Sequence, residues 1–230
     1  RLGSFIFLAL PVLLFFLFFV KWYISLMAII TILIVLQKII SQREEKRELI
    51  FSRTNIFFIF VILGIWCYLG GQGGLFFQTS DWNERNAIFR DLIYFDWPVF
   101  YSKTNTMLTY YIGHWLPAAS LAKIFYIIFG NLNVAFKIGN IFLGIWTFLG
   151  TLFSYFLISI YVNPKKKSGK WIILGIFIGF SGLDIIGCLL EKWTLGDYIN
   201  FLHLEWWSGG DLYQFSSNTT VLFWVFNQGI

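Results

Sequence analysis

The side chains able to do chemistry gather in two stretches of this 230-residue chain, 71–133 and 190–220. In the first, Gln78-Thr79-Ser80-Asp81-Trp82-Asn83-Glu84-Arg85 opens a run that continues through Arg90 and Asp91. Asp81 is the candidate catalytic residue, because a positioned carboxylate can take the proton of an attacking hydroxyl. Its other reading is a helix cap, with Glu84 three residues on completing a capping box. The two are compatible, since a capping carboxylate still offers an oxygen to a substrate. Arg85 and Arg90 carry planar forks that match phosphate oxygens; with Glu84 and Asp91 they also read as a solvated helix face. His114, beside Trp115, is a candidate base or ligand, or an interfacial histidine with its hydrogen bonds satisfied.

The second stretch is dense in Trp, Tyr and acids. His203, Glu205 and Trp206 offer the aromatic face and polar groups that a sugar site needs, and an interfacial aromatic belt is the alternative. His203 and Glu205 share a face only in an extended segment, which makes them a weak metal pair. Asp184 stands inside an apolar run, where an acid marks a functional site by default, with a nearby basic partner as the quieter reading. Asn218-Thr219-Thr220 spells a glycosylation sequon. Zinc-ligand spacing, a Gly-rich phosphate loop and internal repeats are missing. No cofactor is implied, and a divalent metal stays open. Cys67 and Cys188 form neither a disulfide framework nor a metal site and read as small packing residues, with a bridge open if their helix ends meet.

These residues need helices in a bilayer to position them. Hydrophobic residues make up 58% and charged residues 13% of the chain, against about a quarter charged in soluble domains. Aromatics at 22% suit lipid-facing and interfacial surface. A spanning helix takes about 20 mostly apolar residues, and the segments 5–20, 22–40, 55–70, 134–162 and 171–189 qualify, with a sixth starting near 221. Lys21 alone separates the first two, which predicts a tight helical hairpin. The fold class expected is all-α: a polytopic transmembrane bundle forming one membrane domain, with amphipathic interfacial helices in its outer loops. The chain reads as the N-terminal part of a longer protein.

Two basic linkers, 41–54 and 164–170, set the orientation through the positive-inside rule. With both cytoplasmic, ten of the 17 basic residues lie inside with Glu44, Glu45 and Glu48, and nine of the 12 acids lie outside. Segment 110–130 then cannot cross; it lies in the interface or re-enters from outside. From Trp82 onward, Ile88, Phe89, Leu92 and Ile93 complete an amphipathic helix suited to the membrane surface. The short Lys clusters are explained by topology, so nucleic acid is not an expected partner.

The order of these features resembles a family. An outward helix, an outer loop opening with Asp81 and an amphipathic helix come first. Tyr110-Tyr111-Ile112-Gly113-His114-Trp115-Leu116-Pro117 follows, then Phe129-Gly130-Asn131, Lys137 with its long helix, and a Lys-rich turn. This pattern, over 55–170, resembles the N-terminal module of the C-type (GT-C) glycosyltransferases, the superfamily of protein O-mannosyltransferases and bacterial aminoarabinose transferases. The Ser80-Asp81-Trp82 loop and 216–228 also resemble a group of uncharacterised bacterial membrane proteins. Many relatives carry an acidic pair where this chain has one acid, and their loop follows the first helix instead of the third. The resemblance implies transfer of a sugar from a polyprenyl-phosphate donor to a glycan, lipid or protein acceptor outside the cytoplasmic membrane, with Asp81 as base or electrostatic partner of the reacting centre. A transporter or channel subunit, or a non-catalytic scaffold of envelope polysaccharide assembly, is the rival reading.

Overall fold

A computed structural model of the chain describes residues 2–41, 51–166, 168–196 and 216–229. The chain is nearly all-α and forms two compact units, residues 1–163 and 164–229. His203, Glu205, Trp206 and most of the first basic linker lie outside the described residues.

In the first unit, α1 (Leu2–Phe19) and α2 (Trp22–Ser41) form the expected hairpin, tied where the buried Ser25 hydroxyl donates to the Phe16 carbonyl. Helix α3 (Arg53–Leu69) starts on a Ser52 cap that accepts from Asn55 N at 3.3 Å. It ends in a glycine-rich turn holding one 3₁₀ turn, Gln72–Gly74. Next come α4 (Asp81–Tyr94), a two-residue hairpin pairing β1 (Phe100–Tyr101) with β2 (Thr106–Met107), a 3₁₀ turn over Gly113–Trp115, α5 (Leu116–Phe129) and α6 (Leu132–Val162). Gly130, with φ of 66°, stops α5 by donating to Tyr126 O, and the Asn131 side chain then accepts from Asn133 N and Val134 N to start α6. The long apolar α6 is the axis of this unit. Phe51 packs against Tyr155 and Phe156 near its end, while the Gln72–Gly74 turn packs near its beginning, so α3 runs antiparallel to it. Helix α1 does the same, with Gly3 at Phe153 and Phe18 at Trp97. The loop 71–133 therefore gathers at one end of the unit.

Segment 110–130 holds a 3₁₀ turn and the 14-residue α5. Helix α5 turns back at Gly130 and lies along the first half of α6, from His114 beside Thr147 to the Gly130 corner. The contact is close because Gly139 faces Ala122: a Cβ on Gly139 would stand 2.8 Å from the Ala122 Cβ and 3.1 Å from the Phe89 ring.

Four expectations need correcting. The apolar face of α4 is not left for lipid: Trp82, Phe89, Leu92 and Ile93 are buried, and the helix packs on α5 and α6. Nor does α4 begin with a capping box. Ser80 occupies the cap position without a side-chain bond, and Asp81 is the first helical residue. The fifth segment is not one helix. It breaks into α7 (Gly169–Gly179) and α8 (Asp184–Leu195), so Asp184 opens a second helix instead of sitting within a span. The cause is local and distant at once: Gly179 and Gly182 flank Ser181, whose φ is 66°. Meanwhile the Asn218 and Thr219 side chains of α9 (Asn218–Gly229) donate to Phe177 O and Ile178 O at 2.7 and 2.8 Å. Those carbonyls would otherwise bond the next helical turn. Helix α9 starts three residues before the expected 221 and is kinked at Val225.

Three of the described helices, α1, α2 and α6, are long and apolar enough to cross a membrane. Helices α3 and α7, with 17 and 11 residues, reach only about 25 and 16 Å at 1.5 Å per residue, short of a roughly 30 Å hydrocarbon layer.

Gly139→Ala should lower stability by about 1–3 kcal/mol, the usual penalty for overpacking. The check is the thermal midpoint of detergent-purified protein; a midpoint equal to wild type would show that α5 and α6 are not in this close contact.

Candidate functional site

The loop is anchored by a turn that only glycine can make. Gly71 and Gly73 have φ of 80° and 83°, in the left-handed region. A Cβ on Gly71 would lie 2.8 Å from Phe77 O, and one on Gly73 would lie 3.2 Å from Asn140 O of α6. Gln78 donates to Gly71 O at 2.9 Å, and Asn86 of α4 donates to Gln78 Oε1 at 3.0 Å. Trp82 lies against Gly71, so the start of α4 is seated on the turn.

Beneath it runs a polar seam on α6. Thr147, fully buried, donates to Gln72 Oε1 at 3.4 Å and contacts His114 Nε2 at 3.0 Å. With its own hydrogen turned to Gln72, the Thr147 oxygen suits a neutral His114 that donates from Nε2. Burial pushes the His114 pKa down to about 4, because an imidazolium there would lose its hydration. His114 thus ties the entry of α5 to α6. One turn on, Cys67 of α3 meets Thr151 at 3.4 Å. Both cysteines are free and buried.

On α4 the structure brings two of the expected site residues together. Asp81 and Arg85, one turn apart, form an ion pair at 3.6 Å, with the Asp81 side chain 50% and the Arg85 side chain 7% exposed. Arg85 also stands 5.9 Å over the Trp82 ring, and its Nη1 has no hydrogen-bond partner among the described residues. Arg85 is therefore not part of a solvated face: it belongs to the buried side of α4 and offers Asp81 to solvent at that side's edge. Glu84 and Arg90 are exposed on the opposite side. His114 is engaged at Thr147 and does not join the pair.

Sequence reasoning missed the groups that close the other end of α4. Lys123 of α5 donates to Phe95 O and, at 3.4 Å, to Ile93 O, and stands 5.8 Å from the Trp97 ring. Trp97 Nε1 donates to Leu92 O at 2.8 Å. A cation at a helix C-terminus complements its dipole. Burial lowers the Lys123 pKa, with the Asp96 charge opposing. Tyr101 donates to Asp91 at 2.5 Å, and burial followed by that carboxylate pushes its hydroxyl up to about 12. Among the described residues no group of three or more His, Cys, Asp or Glu side chains could hold a metal ion. Against protein-family models, curated proteins and solved structures, the chain finds no match.

The depressed pKa of His114 predicts a pH dependence. Its folded pKa is depressed from 6.5 to about 4, so the unfolded chain binds the proton first as pH falls. Stability should be level with respect to His114 above pH 6.5 and drop between 6.5 and 4, by up to about 1.4 kcal/mol per unit. Thermal midpoints across this range should fall less steeply for His114→Asn; parallel curves would contradict the assignment.

Proposed function

We propose that the chain is a membrane glycosyltransferase that moves a sugar from a polyprenyl-phosphate donor to an acceptor on the outer face of the cytoplasmic membrane. In this reading α1, α2 and α6 cross the bilayer and the loop 71–133 lies outside. The observation that carries it is Asp81: a half-exposed carboxylate at the first residue of α4, oriented by a buried guanidinium. Such a group can act as general base. The acceptor oxygen bonds to the anomeric carbon as the bond from that carbon to the phosphate oxygen breaks. The acceptor proton passes to Asp81, and polyprenyl phosphate leaves with the electron pair. The same pair favours one second reading, a non-catalytic scaffold in which Asp81 serves only as the counter-charge of Arg85.

Removing one member of a buried ion pair costs roughly 3–5 kcal/mol, less where one partner is half-exposed, so Asp81→Asn alone confuses folding with chemistry. The test uses Asp81→Asn/Arg85→Met, which removes both charges. The full-length protein and this variant, at equal membrane abundance, complement a deletion strain whose envelope glycans are analysed. Wild type should restore a missing sugar and the double variant should not. Full restoration by the double variant would reject catalysis by Asp81 and favour the scaffold; a deletion that changes no glycan would reject the enzyme reading.

A further inference from the structure

A groove of about 240 Å³ runs between α3 and α6 and ends on the glycine turn. Gly64, Gly73 and Gly144 form its gap, Cys67 and Phe148 line its walls, and Gln72 stands at its end. It exists because three side chains are missing: the close seating of the glycine turn demands Gly73 and Gly144, while Gly64 has open space before it, where a Cβ would meet only Phe148 Cε2, at 3.8 Å. The lining is almost wholly apolar. An apolar cavity gives water too few hydrogen-bond partners to hold it. Its rim is set by Tyr68, Ile141 and Ile145, 44, 50 and 49% exposed, on α3 and on α6, a helix long and apolar enough to cross a membrane.

We propose that this groove is a binding site for one acyl chain of a bilayer phospholipid. Two features select that occupant. The mouth opens on the flank of α6, where hydrocarbon is the solvent once α6 crosses the bilayer as proposed above. No lining residue carries a charge, so nothing selects a particular headgroup, and the most abundant chain in the bilayer fills the site by mass action. The chain replaces the side chains that the glycines lack and supports the turn on which Trp82, Asp81 and Arg85 sit. This assignment rests on the proposed crossing of α6 but not on the sugar chemistry, because a chain in the groove would brace the turn in a scaffold as well.

The test reconstitutes the full chain in phosphatidylcholine–phosphatidylglycerol vesicles containing a phospholipid with a diazirine on its acyl chain. After photolysis, labelled peptides are mapped by mass spectrometry. Label at Tyr68, Ile141 and Ile145 should exceed that at Leu33 and Ile34 of α2, which are 56 and 58% exposed, by several-fold. Gly64→Leu fills the groove and should abolish the excess while leaving α2 labelling unchanged; Ile145→Trp, which blocks the mouth, should do the same. Uniform labelling, or an excess that survives both substitutions, would overturn the proposal. So would displacement of the label by a few mole per cent of polyprenyl phosphate, which would make the prenyl chain the occupant.

Discussion

One face of α6 decides how the first unit can be built. Asn140, Gly144, Thr147 and Thr151 follow one another at intervals of four, three and four residues, the spacing of a single helical stripe. Small side chains there let backbone approach closely, and the polar ones hold what arrives. Gly144 admits the Gly71–Gly74 turn, Thr147 holds Gln72 and His114, and Thr151 meets Cys67. Gly139, on the adjoining side, admits Ala122 and Phe89. Close packing and such bonds are also what associate helices inside a bilayer, and α6 is long and apolar enough to cross one. The loop at this end depends on that stripe, and α4 depends on the loop.

Arg85 carries the consequence to the candidate site. A guanidinium this deeply buried needs a counter-charge, and Asp81 supplies it from the preceding turn. The carboxylate is thereby fixed in direction and left half in solvent. Lys123 and Trp97 hold the far end of the same helix by its carbonyls. Helix α4 is thus clamped at both ends, a requirement for any group asked to do precise work. The clamp explains why Asp81 is presented.

The parts legible in the sequence are those set by local pattern. The hairpin split at Lys21, the α6 boundaries and the Gly130 stop follow from apolar runs and cap residues close to them. The break between α7 and α8 was not legible, because the side chains that satisfy the freed carbonyls come from Asn218 and Thr219, 41 residues away. Amphipathicity revealed the apolar side of α4 but not whether lipid or protein covers it. Arg85 was open to a better reading. It lies three residues after Trp82 and four before Phe89, on the buried side by helical spacing alone. The two-residue strands fall below any periodic signal.

The loop 71–133 gathers at one end of α6, and residues 164–166 follow its other end directly in the chain. In the reading proposed above, with α6 crossing the bilayer, the two lie on opposite sides. The direct measurement labels single cysteines in intact cells, after both native cysteines are replaced by serine, using Lys103→Cys in the loop and Lys166→Cys in the turn. An impermeant maleimide should reach position 103 from outside and position 166 only after the cells are opened. Labelling of position 166 in intact cells, or protection of position 103, would contradict the proposed crossing of α6.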